Sequence, residues 1–366
     1  MADAFTFFIY LTTLFSTVLL VKAGYSSSQG LVRILPMPLM TILGLIVLVT
    51  ITGLRHEVGE DFQGYVMYFY EQPFFDDSTG FKMEPGYMFF VKLLTDLNLK
   101  VWTFFTLFGF ITYSLLLLSF RDFKHLTYLG VFFFMTFGFY FFTLNGVRQG
   151  VAVAAFGLAT SYSLERKLFK YIMVIVIGGL IHKSLFLFIP FYFVLHKIKF
   201  SSYIWFVLFI LSVIIRVIPI ENYLQLETLT GVLSDTSIDY SSFPTDELEA
   251  ESGITLGYIL RVLIGLFILY FYEKLTVLNP KYIPYFTLTL IGILLYNAFS
   301  HIQFFSRLTV YFTFFSIFTL SFIVDYLTKT KKFILKDSII VFFLLLYCYS
   351  IYVGESGTSP YKFISF

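Results

Sequence analysis

The sequence predicts an all-α, polytopic integral membrane protein of about 11–12 full or partial transmembrane helices with two long extracytoplasmic loops. Three observations carry this. The 366 residues are 58% hydrophobic and only 13% charged, the apolar runs approach the roughly 20 residues that cross a hydrocarbon core, and Lys and Arg gather at a subset of the connections, as the positive-inside rule requires of cytoplasmic ends.

The apolar spans run, in order, from Phe5 to Val21, Ile34 to Leu54, Val101 to Phe120, Leu126 to Thr143 and Val151 to Leu164. A longer stretch follows from Phe169 to Leu195. Further spans run from Tyr203 to Ile220, Ile254 to Tyr272, Tyr282 to Phe299, Thr309 to Leu327 and Asp337 to Val353. The first lacks a basic leader and a small-residue cleavage site, so it is expected to be a retained span. Basic residues collect at Lys22 and Arg33, Arg121 and Lys124, Arg166 to Lys170, Lys197 and Lys199, Lys274 and Lys281, and Lys329 to Lys336. All of these fall on one side only if the Phe169 to Leu195 stretch folds back on itself. Its tip is then His182-Lys183, with Gly178, Gly179 and Pro190 as breakers.

Both termini then face outward, as do two long loops. Residues 55–86 carry seven acidic side chains, and residues 221–253 carry eight with no Lys or Arg. Connections this long often carry function. Neither a separate soluble domain nor an internal repeat is visible, so residues 1–366 read as a single membrane domain.

Composition excludes several functions. A net charge of +2 gives no footprint for nucleic acid, and the single Cys348 has no disulfide partner in the chain. There is no zinc spacing, no Walker phosphate loop and no nucleophile elbow, so neither metal nor cofactor is expected.

The polar residues that interrupt the apolar pattern are the functional candidates. Arg148 and Gln149 open a helix between two spans, where backbone amides, the helix dipole and a guanidinium all favour an anion. Arg55 closes a span, as either a snorkelling anchor or a substrate cation. Asp61 lies in the first outer loop, as a solvated carboxylate or a general base. Glu84 precedes Pro85 at a helix start, where capping competes with a direct role. Apolar residues at spacings of three and four place that helix on the outer leaflet surface. His182 and Lys183 form the re-entrant apex, His301 and Arg307 mark another outer end, and Arg261 sits about two turns into its span. Arg55, Arg148, His182, Lys183, Arg307 and Arg261 converge near the outer leaflet in this topology. Such a cluster suits a diphosphate at the headgroup of a lipid carrier.

Arg55 with Gly59 and Asp61, then Glu84-Pro85-Gly86-Tyr87, Asn145-Gly146-Val147-Arg148-Gln149, Ile181-His182-Lys183-Ser184, and Arg307 before Tyr311 together resemble the EpsG family of exopolysaccharide membrane proteins, related to Wzy-type O-antigen polymerases. The likeness covers most of the chain up to about residue 320. It implies a glycosyltransferase of the bacterial inner or plasma membrane with its active site outside, using undecaprenyl-diphosphate-linked oligosaccharide as donor and acceptor. Membrane lipid, a chain-length regulator and a flippase of the same pathway are the implied partners. Arg148 would stabilise the departing diphosphate, supported by Arg55 and Arg307, while His182 and Asp61 compete for the role of base. The rival functions are a flippase of the same lipid, a glycan ligase and a membrane acyltransferase. A transporter should show related halves and midplane charges, which this sequence does not.

Overall fold

The computed structural model describes residues 2–26, 33–34, 37–71, 83–195, 197–217 and 255–364. The second acidic loop and the middle of the first lie outside the described residues. The fold is all-α, with one antiparallel pair of two-residue strands at Arg33–Ile34 and Met37–Pro38. Among the described residues six helices are long and apolar enough to cross a membrane: 4–25, 101–119, 256–278, 280–299, 305–329 and 333–353. Shorter apolar helices cover Leu39–Gly53, Leu168–Gly179 and residues 202–216. The chain is a multi-pass membrane protein.

The chain divides into two compact units. The first comprises Met1–Phe75, Met83–Tyr192 and Val324–Phe366; the second comprises Asp76–Lys82 and Phe193–Ile323. Within the first, the Ala4–Ser26 helix packs on Leu39–Gly53, which packs on Val101–Ser119, which packs in turn on Val147–Leu164. Aromatic side chains fill the spaces between them. Phe104, Phe105, Phe108 and Tyr87 form one continuous buried cluster with Val147, Val151 and Ile181. Apolar attraction between helices is weak in lipid, so this interdigitation supplies much of the association.

The expected single span from Leu126 to Thr143 is instead two helices, Thr127–Thr136 and Phe139–Asn145, bent by 61° at the break. Gly138 explains the difference, because it sits at φ +92°, which a residue with a Cβ rarely adopts.

The Phe169 to Leu195 stretch does fold back. The Leu168–Gly179 helix ends at the two expected glycines and is followed by a 3-10 turn at Lys183–Phe188. The Tyr171 hydroxyl donates to the Phe188 carbonyl across the fold. A Cβ on Gly178 would come within 2.6 Å of Leu185, and one on Gly179 within 2.6 Å of Phe186. The glycines therefore permit the return as well as ending the helix.

In the second unit, the Ser202–Val217 helix and the Gln303–Thr313 helix both pack on Ile283–Phe299.

Candidate functional site

Glu84 is the centre of the site, and its position follows from local chemistry. Pro85 occupies the first turn of the Pro85–Asp96 helix, where its missing N–H is no loss, and Glu84 takes the N-cap position. Of the two roles open to its side chain, capping is absent. The carboxylate turns away from its own helix toward Arg148, whose guanidinium donates to Oε2. Its Oε1 lies 3.3 Å from Nδ1 of His182 and accepts from the Lys183 backbone N–H at 3.3 Å. Glu84 is 9% exposed and the Arg148 side chain 18%, so the pair is largely shielded from solvent.

Gly86 makes this possible. Its N–H donates to the Leu180 carbonyl at 2.8 Å, stitching the start of one helix to the break in the re-entrant hairpin. A Cβ there would meet that same oxygen at 2.8 Å.

Arg148 is the second residue of the Val147–Leu164 helix. The positive end of the helix dipole and the guanidinium therefore act on one place. Its guanidinium carbon also lies 5.2 Å from the centre of the Tyr87 ring. Burial raises the free energy of a charged Glu84, but the His182 hydrogen bond and the Arg148 charge outweigh it and hold the carboxyl down to about 2.

The Tyr65 hydroxyl accepts the Val147 N–H at 3.1 Å and lies within electrostatic reach of Arg148, Asp61 and Arg55. Burial pushes its phenol up, so it stays protonated. Sequence reasoning did not single out Tyr65, because a tyrosine among 27 carries no signal in spacing alone.

A second device is Asn145, whose long-range partners its motif does not show. Its Oδ1 accepts the Asp61 N–H at 3.2 Å, and its Nδ2 donates to the Ser356 carbonyl at 2.8 Å. Residues 356–364 lace the start of the first long loop in place. Gly59 N–H donates to Gly357, His56 N–H to Lys362, and Ile364 N–H to Leu54, each at 2.9 Å. Asp61 itself is exposed, at the N-cap of the Phe62–Tyr70 helix.

Arg55 does not snorkel. It is completely buried, with its guanidinium carbon 4.5 Å from the centre of the Phe105 ring. Gln149 is half-buried one residue beyond Arg148, and the Lys183 side chain is exposed.

The remaining expected residues, Arg261, His301 and Arg307, belong to the second unit. Arg216 donates to Ser300 Oγ at 3.0 Å and meets His301 Nδ1 at 2.8 Å. Arg261 is exposed, with its guanidinium 4.7 Å from the Tyr296 ring centre, and Arg307 is exposed on the Gln303–Thr313 helix. Among the described residues no group of three or more His, Cys, Asp or Glu is placed to hold a metal ion.

Fold and site together define a multi-pass helical membrane protein with a carboxylate, guanidinium and imidazole gathered at a helix start. The chain belongs to the EpsG family, whose model matches residues 37–363. That family is associated with polysaccharide polymerases, and the chain is a protein of polysaccharide biosynthesis. No curated protein and no solved structure matches it.

Proposed function

We propose that the protein is a polysaccharide polymerase of the bacterial plasma or inner membrane. It transfers a growing glycan from a lipid diphosphate to a hydroxyl of the next lipid-linked unit, on the outer face. The observation that carries this reading is the convergence of Arg148, Glu84 and His182 from three separate segments of an EpsG-family chain.

The acceptor oxygen attacks the anomeric carbon of the donor sugar, and the bond from that carbon to the diphosphate breaks. The acceptor proton passes to His182. Glu84 orients its ring and balances the charge that the imidazolium gains. The diphosphate departs with added negative charge, which Arg148 and the helix N-terminus neutralise. Asp61 is the weaker choice for base, since it is exposed, whereas His182 is held against a carboxylate. The lipid diphosphate is already an activated donor, so no nucleotide sugar is needed outside the cell.

The test is the purified protein in detergent with lipid-linked repeat units. Chain growth is expected for the native protein and single units only for Arg148→Ala. Long polymer at native levels from Arg148→Ala would remove the role given to that residue, and no growth from the native protein would sink the polymerase reading.

A further inference from the structure

We propose that a cavity beside Arg55 is a subsite for one acidic monosaccharide ring of the glycan, an inference that rests on the polymerase reading above. The cavity has a volume of ≈ 160 Å³. A protein cavity of roughly 150 Å³ holds a benzene ring, so this one takes a single six-membered ring. Among the described residues its lining includes Arg55, His56 and Lys100 and no carboxylate. Tyr70 and Trp102 supply aromatic surface for the C–H face of a sugar, while Phe105, buried against Phe62 and Arg55, closes the floor.

The charge distribution favours an anion. Lys100 occupies the N-cap of the Val101–Ser119 helix, where the macrodipole is already positive, so the two fields add. Arg55 contributes a completely buried charge, and none of its three guanidinium nitrogens has a hydrogen-bond partner among the described residues. No Arg55 nitrogen is open to solvent, so Arg55 acts on the cavity through its field rather than by contact, and a carboxylate held near Lys100 lowers the cost of that unbalanced charge.

The walls favour a glycan over a lipid headgroup. They come from the turn after the Leu39–Gly53 helix, the Phe62–Tyr70 helix, the start of the Val101–Ser119 helix and Ile364. Three of these four lie beyond the ends of the membrane-crossing helices. This cavity is distinct from the Glu84, Arg148 and His182 cluster, and none of those three residues lines it.

The chain has two tryptophans, so Trp205→Phe leaves Trp102 as a reporter inside the cavity wall. The experiment titrates this variant in detergent with a glucuronate-containing disaccharide and with a matched neutral disaccharide. Calorimetry on the unaltered chain gives the same comparison should Trp205→Phe fail to fold. A saturable response to the uronate is expected, about tenfold weaker for the neutral sugar and about tenfold weaker again for uronate with Lys100→Gln. Equal response to both sugars, no response to either, or a response only to phosphatidylglycerol vesicles overturns the subsite. Uronate binding is expected to persist in Arg148→Ala, which separates this test from the polymerase one. A chain that binds uronate but never lengthens glycan supports the subsite and sinks only the catalytic reading.

Discussion

The Glu84 carboxylate lies 3.3 Å from the imidazole of His182 while its other oxygen takes the guanidinium of Arg148. One carboxylate therefore fixes the two groups that the proposed reaction needs. Glu84→Gln keeps the shape and removes the charge, leaving a largely buried guanidinium unmatched. A completely buried pair broken this way loses about 3–5 kcal/mol; this pair is partly exposed, so a loss of about 2–4 kcal/mol is expected. Thermal unfolding in detergent measures it. The double variant Glu84→Gln, Arg148→Met should recover part of the loss, and simple additivity would refute the coupling.

The same pair sets a pH dependence. The folded Glu84 carboxyl is held to about 2, below its ordinary value of 4.5. A depressed acid stabilises the fold at pH above its unfolded value, and that contribution fades as the pH falls through the folded value. Stability should therefore decline between about pH 5 and pH 2 by roughly 3 kcal/mol from this group. Acid unfolding of native protein and Glu84→Gln, compared at each pH, isolates the component. Identical acid profiles would contradict it.

Asn145→Ala removes an acceptor for Asp61 and a donor to Ser356 in one change. One bond is exposed and the other half-buried, so a loss of about 0.5–1.5 kcal/mol is expected. Because Asn145 stands three residues before Arg148, polymer output should fall more than the stability loss explains. Proteolytic release of residues 356–364, which lace the loop, is expected to quicken. A variant with native output and native protease resistance would show that the lacing is incidental.

Gly86→Ala places a methyl 2.8 Å from the Leu180 carbonyl. The backbone must part there, which draws Glu84 away from His182. A loss of about 1–3 kcal/mol is expected, with chain growth reduced at least tenfold. Radiolabelled glycan sizing on gels reads the outcome.

The sequence revealed the span pattern because apolar runs and basic clusters are one-dimensional signals. It also located the hairpin at His182-Lys183, since only a return there reconciled the charges. The bend at Gly138 was hidden, because an apolar run reads the same whether straight or broken. At Glu84 a cap and a direct role both stay open, because local spacing shows only what a side chain is near in sequence. Its actual partners at positions 148 and 182 are long-range, as is the pairing of Asn145 with Ser356. The complete burial of Arg55 was equally invisible, since a charge at a span end ordinarily reaches for water.

Sidedness has its own test. The acidic stretch 221–253 contains no basic residue, and the positive-inside rule puts it outside. Ser241→Cys, introduced with Cys348→Ser, is expected to react with an impermeant thiol reagent on intact cells. Protection until permeabilisation would reverse the topology.

Phospholipid phosphates outnumber any glycan carrier in a bilayer, and an unoccupied arginine near their level would be titrated by them continually. Glu84 already fills that position. On the proposed reading it works as a resident competitor: a headgroup with a single phosphate charge gains little by displacing it, whereas a diphosphate brings enough additional charge to do so. On that reading the ion pair at residues 84 and 148 is a charge filter against the membrane's own lipids.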